Sequence, residues 1–363
     1  MRNFFKLDWI LLVVVTLLIA IGLAAIYGLS FNGGTFDGSH FYRQLLAVFL
    51  GGALLIFFSF YDYRALNTMS TKLYFLALVL LLAVILLGSH INGTTGWLRF
   101  GGFSFQPVEL VKLIMIIFLA SFLSKKKNEL SVLVRIIASI VLIGIPILLI
   151  LKQPDFGSAM IVIGIWMGMI VVSGINKKHL LILFLIGIVA AGSSWFFLKD
   201  YQKERIINFV RPNNDPHGSG YNVLQATVAV GSGGVWGKGL GNGSQSQLNF
   251  LPEKYTDFIF AAIGEELGLA GSVIVFILFV VIIYRLKEAA RLARDNFGYL
   301  LSVGIIMMIF LQILVNAGMN IGVAPVAGVP LPFLSYGGSS MITLLASVGL
   351  IQSVYARRIK TLD

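Results

Sequence analysis

Acidic side chains set in apolar sequence are where this chain could do chemistry. The stretch FLPEKYTDFIFAAIGEELG, Phe250 to Gly268, places Glu253, Lys254, Asp257, Glu265 and Glu266 against and inside a hydrophobic run. Glu109 and Lys112 lie in FQPVELVKLIMI, and Asp155 stands in KQPDFGSAM. A charge at the centre of a membrane span costs roughly 2.5–3.5 kcal/mol on insertion scales, so each of these needs a reason. A carboxylate so placed can act as a general base toward a hydroxyl. The cations Lys199, Lys203, Arg205, Arg211, Lys238 and Lys254, interleaved with glycine-rich backbone, could hold a diphosphate through charge-assisted hydrogen bonds.

Plainer readings stand beside these. Pro107 suits a first helical turn, and Glu109 and Lys112, three residues apart, share a face and neutralise each other. They are either an ion pair that packs a helix or the polar wall of a cavity open to the outside. Asp155 and Asp257 each precede an apolar run, where aspartate is an ordinary N-cap. On a continuous helix Asp257 and Glu265 would lie about 12 Å apart along the axis and about 80° apart around it, with Glu266 turned about 180° away. Asp257 then works alone or with Glu109 or Asp155, while Glu265 and Glu266 hold neighbouring helices or a cation. The chain has no cysteine, which excludes disulfides and thiolate chemistry, and its four histidines show no metal-ligand spacing.

The elements that must position these residues are membrane helices. Of 363 residues 58% are hydrophobic and 12% charged, against roughly 25% charged in a soluble domain. Apolar runs near the roughly 20 residues needed to cross a bilayer recur almost end to end, and helices alone satisfy backbone groups there. The pattern predicts one membrane domain, 1–363, of ten spans: 8–29, 43–60, 73–91, 107–123, 132–151, 157–174, 178–197, 258–284, 299–320 and 337–356. Arg64, Lys72, Lys125, Arg135, Lys177, Lys178, Arg285, Lys287, Arg291 and Arg357 cluster on one side, whereas the short loops of the other hold only Arg43, Arg99 and Lys152. That bias places both termini in the cytoplasm and the long loop 198–257 outside. Within the loop, YNVLQATVAVGSGGVWG is too short and glycine-broken to span, which suits a segment in the interface or dipping between helices. The proline-interrupted NIGVAPVAGVPLPFLSYGGSS, before the last span, reads as irregular backbone lining a cavity.

RPNNDPHGSGYNVLQATVAVGSGGVWGKGLGNGSQSQLNFLPEKYTDFIFAAIGEELG, with PVAGVPLPFLSYGGSS and FQPVELVKL, closely resembles the SEDS (shape, elongation, division and sporulation) family of bacterial membrane proteins, over essentially the whole chain. GSQSQLNFLPE looks like its elongation branch, RodA-like, more than its division branch. The resemblance implies a peptidoglycan glycosyltransferase in the bacterial cytoplasmic membrane that polymerises lipid II on the outer face into β-1,4-linked glycan, with undecaprenyl diphosphate as leaving group. The family's essential acid falls on Asp257, and its polar cavity residues on Glu109, Lys112 and Asp155. From the same motifs, substrate contacts are expected at Arg211, Gln225, Ser232, Gly233, Gly234, Lys238, Lys254, Thr256, Ser335 and Tyr336.

The implied partners are a class B penicillin-binding protein supplying transpeptidation, other elongation-complex membrane proteins, undecaprenyl-linked glycan and membrane lipid; nucleic acid is not expected. No protein metal site is expected, and a divalent cation, Mg or Mn, is compatible with diphosphate chemistry. One departure stands out: many members carry arginine directly before the tryptophan where this chain has Gly96 before Trp97, leaving Arg99 as the substitute. Two alternatives remain: a transporter of the lipid-linked precursor, supported by the buried acid–base pair and proline-broken helix region, and a scaffold that recruits wall enzymes.

Overall fold

The computed structural model describes residues 6–358 except 33–34, 92–93, 101–102, 126–131, 195, 197–199, 211–218 and 249. Ten apolar helices stand where ten spans are expected: α1 (Trp9–Leu29), α2 (Ser39–Phe60), α3 (Arg64–Leu87), α4 (Pro107–Ser124), α5 (Val132–Lys152), α6 (Phe156–Val172), α7 (Lys177–Ser194), then α11 (Ile259–Arg291), α12 (Asn296–Asn320) and α13 (Gly338–Ala356). Eight described helices are long and apolar enough to cross a membrane, and α6 is a shorter apolar helix. The loop between α7 and α11 contributes α8 (Asp200–Val210), α9 (Ser219–Ser232) and the single turn α10 (Ser244–Gln247). The largest departures from the sequence reading are that α3 begins at Arg64 rather than near 73 and α11 runs on to Arg291 rather than 284, with α2 starting four residues early and α3 ending four residues early. Hydropathy marks only the lipid-embedded part of a helix, and polar terminal turns continue beyond it.

The connections after α1 and α3 also hold small antiparallel ribbons that hydropathy does not signal. β1 (Phe31–Asn32) pairs with β2 (Thr35–Phe36), and β4 (Thr94–Phe100) lies between β3 (Ser89–Ile91) and β5 (Phe103–Phe105). The second ribbon brings Trp97 over the helix ends.

Helix α4 and helix α13 form the centre, each with 83% of its spanning window buried, whereas α2 and α3 turn mostly outward to present aliphatic and aromatic side chains to lipid. Glycine permits the closest packing: a Cβ added to Gly349 of α13 would lie 2.6 Å from the Leu55 carbonyl oxygen of α2. Asp8 caps the amino end of α1 through the Leu11 N–H (3.1 Å) and receives Arg285 Nε of α11 (2.7 Å), while Gln352 of α13 exchanges hydrogen bonds with its backbone.

Helix α11 is broken. Gly268 sits at φ 68°, ψ −164°, a conformation essentially reserved for glycine. The break frees the carbonyls of Glu265 and Glu266 and the N–H groups of Leu269 and Ala270, which in a continuous helix would pair with one another. The glycine-rich segment before α10 takes up all four: Lys238 N and Gly239 N donate to the two carbonyls (3.0 Å each), and the two N–H groups donate to Gly234 O and Val235 O (2.9 and 3.0 Å). Non-helical backbone at membrane depth is tolerated where protein satisfies it in this way.

Candidate active site

The amino ends of α4, α6, α9, α11 and α13, with β4 and the irregular segment 321–337, enclose a pocket of about 410 Å³. That volume lies within the range of small-molecule sites. Of the sequence-predicted residues it brings together Asp155, Thr256, Asp257 and Tyr336.

Asp257 lies just before α11, in a turn rather than on the helix, and its carboxylate is half-buried. Gly328 lets backbone approach it: at φ 64° it stands where a Cβ would be 3.7 Å from Asp257 Oδ2. The segment carrying Asp257 hangs by its main-chain carbonyls. Tyr336 N donates to Tyr255 O (2.8 Å) and Ser335 Oγ to Thr256 O (2.6 Å). Asn316 and Asn320 of α12, both fully buried, each donate an amide N–H to Asp257 O (3.0 and 2.9 Å). Asn320 Oδ1 accepts the Ala261 N–H, so α12 also caps the first turn of α11. These two amides escaped sequence reasoning; the signal was Gln312, Asn316 and Asn320, a polar stripe at four-residue spacing in an otherwise apolar helix.

Asp155 caps α6, with Oδ1 accepting the Ser158 N–H at 2.9 Å. Burial pushes its carboxyl above the usual aspartate range, opposed by that hydrogen bond and by the nearby Lys112 charge. Capping and pocket lining are therefore combined in one side chain. Glu109 and Lys112 pair at 2.7 Å with side chains 4% and 1% exposed, in the first turns of α4. They lie behind the lining rather than in it.

The remaining sequence-predicted residues lie elsewhere. Lys238 Nζ is bound to Glu265 (2.9 Å) and Ser244 Oγ (2.8 Å). Gly233 and Gly234 belong to the splint across the α11 break, and Ser232 Oγ bonds Ala229 O within α9. Lys254 Nζ donates to Ser246 O (2.6 Å) and stands over the Tyr255 ring; burial pulls its ammonium below the ordinary lysine value. Ser335 supports the Thr256 backbone, Gln225 is half-buried on α9, where Asn222 reaches the pocket instead, and Arg211 and Lys199 lie outside the described residues. Arg99 is exposed and does not line the pocket.

Glu265 and Glu266 hold the long loop before α11 rather than neighbouring spans. Glu265 accepts from Lys238 Nζ, from Ser244 and Ser246 hydroxyls and from the Gln245 and Ser246 N–H groups, and Glu266 accepts the Gly241 N–H at 3.0 Å. Among the described residues no three His, Asp or Glu side chains converge to hold a metal ion.

Comparison with known proteins places this arrangement. Residues 8–360 match the FtsW/RodA/SpoVE family, described as cell cycle protein. Stage V sporulation protein E of Bacillus subtilis is 38% identical over 355 residues, covering 96% of each chain. Peptidoglycan glycosyltransferase MrdB of Escherichia coli K12 is 36% identical over 317 residues, covering 87% of this chain and 85% of that one. A chain from a peptidoglycan synthase complex, solved for its coordination of polymerization and crosslinking, superposes with TM-score 0.82 at 31% identity, covering 96% of this chain and 97% of that one. The rod shape determining protein RodA of Thermus thermophilus gives TM-score 0.72 at 28% identity, covering 98% of both. With the family spanning nearly every residue and the fold shared end to end, the chain belongs to the FtsW/RodA/SpoVE, or SEDS, family of multi-span membrane proteins.

Proposed function

We propose that this chain polymerises lipid II into β-1,4-linked glycan on the outer face of the bacterial cytoplasmic membrane, as a peptidoglycan glycosyltransferase serving elongation and rod shape. The observation that carries the reading is the Asp257 carboxylate, suspended by its backbone and turned into a pocket at the amino ends of the helices. The relative named for this activity, MrdB, and the fold of the synthase-complex chain support it.

The chemistry is one in-line displacement. Asp257 takes the proton of the acceptor N-acetylglucosamine 4-hydroxyl as its oxygen forms a bond to C1 of the donor sugar. The C1–oxygen bond to the diphosphate breaks on the opposite side, its electron pair leaving with undecaprenyl diphosphate, so an α-linked donor gives a β-linked product. A positioned base contributes roughly 10²- to 10⁴-fold to such a step. Lys238 and Lys254, occupied by Glu265 and Ser246, supply no charge to the leaving group in these contacts. A class B penicillin-binding protein is the proposed partner, crosslinking the emerging strand. The Glu109–Lys112 pair, which would favour transport if it lay along a path between faces, stays at the pocket end of α4.

Purified protein given lipid II in detergent, with and without the partner, tests the reading, because polymerisation there needs no transport. Wild type is expected to build glycan and Asp257→Asn to fold with an unchanged melting temperature yet build none; normal polymer from that variant overturns the assignment of the base.

A further inference from the structure

Lys238 and Lys254 of the long loop are engaged with Glu265 and Ser246 rather than with the pocket. Among the described residues that line the pocket none is lysine or arginine. What faces it instead is the start of α13. Gly337, Ser339 and Ser340 are in the lining, and α13 has no side-chain N-cap. The first helical hydrogen bond runs from Met341 N to Gly337 O (2.9 Å), so the N–H groups of residues 338–340 precede it and have no partner within the helix. A 19-residue helix carries the equivalent of about half a positive charge at this end.

A second, independent observation is the Ser340 side chain. It is 7% exposed, lines the cavity, and makes no hydrogen bond to another described residue. Neighbouring Ser339 accepts the Gln106 N–H at 2.8 Å, which fixes the end of α13 against α4 and leaves its own hydroxyl proton to donate.

We infer that the amino end of α13, with the Ser339 and Ser340 hydroxyls, is the subsite that holds the diphosphate of a lipid-linked donor. This rests on the glycosyl-transfer reading and names the group that receives the leaving charge. Unpaired N–H groups at a helix start and two hydroxyl donors match terminal phosphate oxygens without a basic residue. An inverting displacement requires base and leaving group on opposite faces of the sugar, which separates this subsite from Asp257.

The test measures binding of farnesyl diphosphate, with inorganic pyrophosphate and farnesol as controls, to the full-length protein in detergent. Ser340 is the third residue of α13, where an acid suits the helix, so Ser340→Asp is expected to fold as well as wild type while rejecting the anion. Ser340→Ala weakens farnesyl diphosphate about tenfold, the loss of one hydrogen bond to a charged group, and Ser340→Thr restores it. Farnesol binding stays unchanged in all three. Equal affinity for pyrophosphate assigns recognition to the anion alone, and a preference for farnesyl diphosphate assigns it to the lipid-linked form. Unchanged farnesyl diphosphate binding by Ser340→Asp, or equal wild-type affinity for farnesol, overturns the subsite. Asp257→Asn is expected to bind the probe like wild type while making no glycan, so failure of the subsite and failure of the base are separate results.

Discussion

Gly237 and Gly268 meet backbone to backbone: a Cβ added to Gly268 would stand 2.3 Å from the Gly237 amide nitrogen. Both glycines have positive φ, 80° and 68°. The contact lets the glycine-rich segment enter the break in α11 and satisfy its freed groups. Gly268→Ala is expected to cost about 3 kcal/mol through backbone strain, before any clash is counted. The check is a lower melting temperature in detergent together with faster proteolysis of the 234–248 segment.

Removing one member of the Glu109–Lys112 pair leaves a buried charge alone. Lys112→Met is expected to destabilise by about 3–5 kcal/mol, and the double variant Glu109→Leu with Lys112→Met to regain most of that loss. Melting temperatures of the single and double variants measure this. Polymerisation by the double variant then separates a packing role from a contribution to the cavity.

Asn316→Ala and Asn320→Ala each remove a donor from the Asp257 carbonyl, and a buried acceptor that loses its partner costs about 1–3 kcal/mol. Ser335 and the other asparagine still hold the segment in each single variant. The single variants are therefore expected to fold and to lose turnover more than substrate affinity, because a displaced base fails in the transition state. Steady-state kinetics with lipid II, read as kcat against KM, decide this.

Asp155 gives a pH dependence of defined sign. Its carboxyl is raised by burial above the ordinary 3.8, so the native state holds the proton more tightly than the unfolded chain does. The resulting stabilisation is present below 3.8 and lost as pH rises through the native value. Asp155→Asn keeps an oxygen acceptor for the Ser158 N–H without the ionisation. Wild type is expected to lose stability relative to Asp155→Asn as pH rises from about 4, as measured by paired thermal melts.

The ten spans were legible because lipid imposes length and apolarity on every crossing helix. Asp257 was legible for a related reason: an acid next to an apolar run is costly and therefore conspicuous. The break at Gly268 was not, since nothing in FAAIGEELGLAGS sets that glycine apart from Gly264 and Gly271, and each reads as tolerated helix. On a continuous helix the glutamates are placed by simple rotation, whereas in the broken one they clamp Gly241 and α10. Lysines 238 and 254 illustrate the same limit, because sequence supplies a charge but not its partner, and their partners come from elements distant in the chain or across a turn. Ser339 and Ser340 carry no charge at all, so their placement at a helix start facing a cavity emerges only from the fold.

The broken helix also separates crossing the membrane from building the site. Residues 269–291 at 1.5 Å each span roughly 34 Å and cross without help, whereas 259–267 reach only about 13 Å and cannot. The piece that carries Asp257 inward is thus anchored by residues 234–239, which leave the ribosome before it does. Its carboxylate is set in place only when Asn316, Asn320 and Ser335, made later, take up the carbonyls of the turn that bears it, so a correctly inserted protein can still lack a correctly assembled centre.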